Sequence, residues 1–313
     1  MGGLILRRLG LSVPLLFVVT AVTFVLESLV PGNTARAIIG ATGSQAAYER
    51  LRRQLGLNHP IWYQYTHYIN GVLHGNLGVS AITGAPVSAM LAQRVPVTLS
   101  LVGLTTLFCG VVGIALGVVS AVRGGWLGKL LDFLSYAGLA LPNFWLGLVL
   151  VLLFSVTVHL FPSIGYVGPS TSLSGWLLSL CLPALALGLA GIAGVAKQSR
   201  DSMMDALQSQ YIRTLRASGL SRWRIIWKHA LRNAAIPAIT VIGLVFVSSL
   251  STSVFIEQVF VLPGLGSLAV TATGQHDVTV IEGIALYFTL FVVAANLLLD
   301  VVYAALNPKI RRR

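Results

Sequence analysis

Residues 199–237 read SRDSMMDALQSQYIRTLRASGLSRWRIIWKHALRNAAIP. Arg200, Arg213, Arg216, Arg222, Arg224, Lys228 and Arg232 make this stretch a basic, polar island in a chain that is otherwise apolar. Gly219 divides it into two short segments whose composition suits helices. A connection that only turned the chain around would not need this length. The island therefore reads as a docking handle for a soluble partner, and the sequence on either side has to give it a reason.

The chain has 313 residues, 56% of them hydrophobic and 10% charged. A soluble domain carries roughly 25% charged residues. Surface this apolar needs lipid as part of its solvent, so the chain is read as an all-α polytopic membrane protein. The net charge of +12 is accordingly assigned to the cytoplasmic membrane face, with no nucleic-acid partner expected. Cys109 and Cys181 lie in apolar runs and read as small hydrophobes, with no redox or metal role. Arg7 and Arg8 precede an apolar run too long for the core of a cleaved signal peptide, so that run is expected to stay as a first span.

A membrane-crossing helix needs about 20 apolar residues. Six stretches meet or approach that length: 9–30, 94–123, 132–159, 176–196, 235–255 and 280–303. The expected domains are a tail and first span at 1–30, an external loop with short helices at 31–94, and a five-span core at 95–313 that carries the loop 199–237. With the N-terminus inside, the inner segments hold 16 of the 21 Lys and Arg residues. The other five fall in the long loop 33–94, where the charge rule weakens. Both termini are thus expected in the cytoplasm. Trp62, Tyr63, Tyr65 and Tyr68 crowd the long loop and suit either the bilayer boundary or a partner surface. Gly110, Gly113 and Gly117, with Ala184, Gly188, Gly191 and Gly194, stand at spacings that let helix backbones approach.

No catalytic constellation stands out. The histidines are not paired four apart on a helix, no metal site is expected, and Gly128-Lys129-Leu130 is not a phosphate-binding loop. The chain is therefore expected not to be an enzyme and to bind no cofactor of its own. Ionisable residues within spans carry a functional hypothesis. Glu27, Glu257 and Glu282 sit near outer span ends and Asp300 near an inner one, each expected to reach water or an arginine. Glu257 and Glu282, with Asn143, are the candidate lining of a translocation pathway.

The segment 211–224, YIRTLRASGLSRWR, resembles the motif known as the EAA loop of bacterial ABC-importer permeases. The resemblance is closest to the dipeptide/oligopeptide permease group and covers nearly the whole chain. Leu29-Val30-Pro31-Gly32, Gly75-Asn76-Leu77-Gly78, Leu141-Pro142-Asn143-Phe144-Trp145, Pro263-Gly264-Leu265-Gly266 and Asn307-Pro308-Lys309-Ile310-Arg311 follow that group's order. Leu215 departs from its usual Ala, and Asn33, Asn76 and Asn307 stand uncharged where it often has Asp.

The resemblance implies a type I importer architecture, a six-helix bundle with a cytoplasmic coupling-helix loop. It implies two short helices meeting at Gly219, the second seated in a groove of an ATPase. Arg213, Arg216, Ala217, Gly219, Leu220, Ser221, Arg222, Trp223 and Arg224 form the expected docking surface. Ser221 is expected to cap the second helix, Trp223 and Ile226 to anchor it, and Arg222 and Arg224 to pair with acids of the partner. The implied partners are a second permease subunit, two ATP-binding subunits that hold ATP and magnesium, and an extracytoplasmic substrate-binding protein. Peptides are the expected cargo, with nickel chelate, glutathione or opine as alternatives carried by the same architecture. A membrane scaffold that transports nothing is the rival reading; an intramembrane hydrolase is disfavoured for want of a nucleophile–base pair.

Overall fold

The computed structural model describes residues 2–29, 34–40, 43–123, 125–126, 128–130, 133 and 141–306. Among them the backbone is overwhelmingly helical, with one isolated bridge pairing Val79 with Pro86. This suits a membrane chain, because a helix satisfies its backbone groups internally where no water can. Five helices among the described residues are long and apolar enough to cross a bilayer. They are α1 (Gly2–Leu29), α5 (Val87–Arg123), α7 (Leu173–Gln208), α9 (Arg222–Val259) and α11 (Val278–Leu306).

The expected third span is the exception. Its described part, α6 (Asn143–Thr157), is short, and its second half widens into π-helical turns over Val151–Thr157. The first part of that expected span, residues 132 and 134–140, lies outside the described residues. The remaining helices are α2 (Thr34–Ile39), α3 (Gln45–Gln54), α4 (Ile61–Leu73), α8 (Gln210–Ala217) and α10 (Leu265–Gly274).

Two compact units divide the chain. The first comprises Met1–Thr98 and Pro263–Ala294. Its core gathers Leu77, Val87, Leu91, Leu265, Leu268, Val280 and Ile284 from α5, α10, α11 and the segment before α5. Polar ties join segments distant in sequence. Thr34 Oγ1 donates to the His276 carbonyl at 2.6 Å, the Leu265 amide donates to Thr98 Oγ1 at 2.8 Å, and Ser80 Oγ donates to the Asp277 carboxylate. The aromatic crowd of the long loop splits by role. Tyr65 donates to the Phe17 carbonyl at 2.9 Å and meets Phe24 edge-on, packing α4 against α1, while Trp62 and Tyr63 stay exposed.

The second unit comprises Leu99–Leu262 and Ala295–Arg313. Here α5 and α7 approach through small residues. A Cβ on Gly113 would stand 2.7 Å from Val195 Cβ, and one on Gly117 would stand 2.5 Å from the Ala196 carbonyl oxygen. Gly188 and Gly191 are filled in turn by Cys109, whose thiol donates to the Gly188 carbonyl at 3.3 Å. Cys109 is thus the small buried hydrophobe expected. Gly194, grouped with them on spacing alone, has nothing within 4 Å and takes no part. Tyr303 of α11 donates to Thr240 of α9 at 2.8 Å in the same unit.

Candidate functional site

The basic island is an elbow built on the ends of two long helices. The apolar run was expected to end at Ala196, yet α7 continues to Gln208. Nothing in residues 197–208 breaks a helix, since neither Gly nor Pro occurs there. The helix stops at Ser209, which is extended (φ −65°, ψ 152°), and α8 follows at once.

At the end of α8 the chain reverses. Gly219 has φ +76°, and its amide donates to the Arg216 carbonyl at 3.1 Å while Leu220 N donates to the Leu215 carbonyl at 3.3 Å. This is a left-handed helix terminus, in which any side chain would cost about 1 kcal/mol or more. A Cβ there would meet no atom within 4 Å, so the demand for glycine is conformational and not steric.

Two expectations about the second half change. Ser221 occupies the cap position with extended geometry (φ −63°, ψ 143°), but its side chain makes no capping bond. And no separate short helix follows: residues 222 onward are the first turns of α9, with Ile225–Ala230 wound as wide π turns. The arm and the long span are therefore one continuous helix.

Burial sorts the elbow into two faces. Ile212, Ile225, Ile226, Ala230 and Ala234 pack with Met203 and Val118 into a core beneath it. Ile226, expected as an anchor, is only 8% exposed and belongs to this base, packed with Ile225 and Ile212. Trp223 is 71% exposed and lies against Trp227, the ring centroids 5.2 Å apart and the planes tilted by 49°. Trp227 is the aromatic that motif reading missed; its position one turn after Trp223 was the available signal. Arg213, Arg216, Ala217, Gly219, Ser221, Arg222 and Arg224 are exposed, and Leu220 is half-buried. Tyr211 ties the two arms, accepting from Asn233 Nδ2 at 2.8 Å, and Arg222 donates to the Val122 carbonyl at 3.3 Å. A cleft of about 490 Å³ opens between Arg216 and Arg222, with Leu220, Ile225 and Ile226 in its lining. Chemically this face can attract acids and bury an aromatic pair; it holds no nucleophile beside a base.

The pathway candidates lie elsewhere. Asn143 opens α6 directly after Pro142. Glu257 is fully buried near the end of α9, where its carbonyl accepts the Leu262 amide at 2.8 Å. Glu282 is fully buried on α11 in the first unit, and neither of its carboxylate oxygens has a hydrogen-bond partner. Each carboxylate was expected to reach water or an arginine; both are enclosed, and that of Glu282 meets neither. Among the described residues no group of three His, Cys, Asp or Glu could hold a metal ion.

Comparison with known proteins gives the architecture its relatives. The profile of a family described as the binding-protein-dependent transport system inner membrane component matches residues 113–312, and its N-terminal companion matches residues 1–102. The oligopeptide transport system permease protein AppB of Bacillus subtilis is 37% identical over 99% of this chain and 99% of its own length. The dipeptide transport system permease protein DppB of Escherichia coli is 36% identical over 99% of this chain and 98% of its own. Among solved structures, one described as inward-facing conformations of the MetNI methionine ABC transporter superimposes with a TM-score of 0.56. It covers 70% of this chain and 97% of its own at 16% identity, a likeness of fold alone.

Proposed function

Because this chain belongs to the family of binding-protein-dependent transport system inner membrane components, we propose that it is the membrane-spanning permease subunit of an ATP-driven peptide importer. The chain is a multi-pass inner-membrane protein, and in this reading both termini and the elbow face the cytoplasm. Two ATPase subunits dock there, a second permease completes the pathway, and a substrate-binding protein delivers cargo on the opposite side. ATP and magnesium stay with the ATPases, and the cargo crosses unchanged. Peptides lead as cargo because AppB and DppB are named for oligopeptides and dipeptides.

The observation that carries the reading is the elbow at Gly219. It presents Trp223 and Trp227 outward over a packed base and is continuous with α9. A partner that closes on ATP can pull this elbow and so move a whole span. Rigid-body closure of that kind is a known means of switching a protein between two states.

The test is co-purification of the ATPase with the permease, together with ATP-dependent peptide uptake into proteoliposomes containing all subunits. Trp223→Asp removes an exposed aromatic and leaves the base untouched, so the permease should insert and keep its thermal stability while ATPase recovery and uptake fall at least tenfold. Full ATPase recovery and uptake with this variant would refute docking through the elbow.

A further inference from the structure

The buried carboxylate of Glu282 has no hydrogen-bond partner within the chain. It lies on the wall of a cavity of about 500 Å³ within the first unit, formed by α4, the turn before it, the segment 76–81 and the first turns of α11. Both carboxylate oxygens are buried and unpartnered, and so is the hydroxyl of Tyr68, another residue of the lining. The pair are electrostatic neighbours: burial first, and then the charge of Glu282, push the Tyr68 phenol well above its ordinary pKa. An unpaired buried carboxylate costs several kcal/mol, and native proteins leave very few such groups unmet. Two together on one cavity point to a group that arrives from outside.

The chemistry of that group follows from the wall. Two carboxylate oxygens accept, a phenol oxygen accepts or donates, and aromatic faces stand beside them, with Phe24 and Tyr68 ring centroids 6.5 Å apart. A cation bearing several N–H donors satisfies the oxygens, and aromatic rings attract cations besides. A metal ion fits less well, because His59 and His67 are exposed and no metal-holding group of three forms among the described residues. We propose that this cavity is a binding site for a primary ammonium group, held by the Glu282 carboxylate and the Tyr68 hydroxyl, with an apolar stem resting on Phe24 and Leu77.

The inference stands on the cavity and not on transport, so its test reads binding alone and its failure would leave the permease reading intact. The full-length chain in detergent is titrated with n-butylammonium, with potassium and tetramethylammonium as cations lacking N–H donors, and thermal unfolding is followed. Butylammonium should raise the unfolding temperature in a saturable way, and the two control cations should bind at least tenfold more weakly. That factor corresponds to about 1.4 kcal/mol, within what hydrogen bonds to a charged group supply. Glu282→Gln should abolish the shift, and Tyr68→Phe should weaken binding roughly tenfold at unchanged fold. Three results would overturn the proposal: no shift with wild-type protein, an equal shift with potassium, or undiminished binding in both variants. Should Glu282→Gln fail to fold, Tyr68→Phe decides alone: binding as in wild type overturns the site, and tenfold weakening upholds it.

Discussion

At Gly117 a single hydrogen atom decides whether two helices meet. A Cβ there would come within 2.5 Å of the Ala196 carbonyl oxygen, 2.6 Å of Ser199 Cβ and 2.9 Å of the Arg200 amide nitrogen. Two of these three atoms are backbone, which cannot swing aside as a side chain can. Overfilling a packed contact costs typically 1–3 kcal/mol. In lipid, moreover, close packing is itself a main source of helix association. Gly117→Leu should therefore lower the thermal unfolding temperature in detergent markedly. Gly194→Ala is its counterpart: nothing lies within 4 Å, and alanine favours a helix over glycine by about 1 kcal/mol. That variant should match or exceed the parent in the same measurement. Equal unfolding temperatures for the two variants would show that α5 and α7 do not depend on this approach.

Elements were legible to the extent that their signal was local. Each of the five long helices coincides with an apolar run over more than half of its length, and Gly219 announced the reversal. Helix ends were less legible, because helical geometry continues into polar sequence: α7 runs past Lys197 and Arg200 to Gln208, and α9 starts at Arg222 well before its apolar run. Burial at the elbow was not legible from composition either, since Trp223 and Ile226 are both apolar and only the packed base separates them. Nor could sequence say that Glu282 is enclosed, for that depends on α4 and residues 76–81 folding over it. The base makes the elbow a stiff element, and this can be tested. Ile212 is fully buried beneath it, and truncation of such a residue to alanine costs roughly 2–5 kcal/mol. Ile212→Ala should accelerate amide hydrogen exchange across residues 210–230 and weaken ATPase recovery, with exchange in α1 unchanged. Unaltered exchange across the elbow would mean that the base does not hold it.

Across the whole molecule, charge records which side of the membrane each segment faces. Sixteen of the 21 basic residues fall in the N-terminal segment, the 123–132 connection, the stretch 197–232 and the C-terminal tail. Insertion leaves Lys and Arg of short connections in the cytoplasm. The five remaining arginines lie in the long 33–94 segment, where length overrides that preference. The proposed orientation, elbow inside with α3 and α4 outside, is the one this charge distribution favours. The ATPase-docking reading requires this sign, because ATP is cytoplasmic, and the opposite orientation would leave the elbow with no motor to meet. Cys109 is buried and Cys181 half-buried, so the native thiols give little background to a labelling experiment. Ala46 on α3 and Ser218 at the elbow are both exposed. With a membrane-impermeant maleimide, Ala46→Cys should label in intact cells stripped of any outer barrier. Ser218→Cys should label only after the inner membrane is opened. The reverse pattern would invert the topology and remove the elbow from the reach of any ATPase.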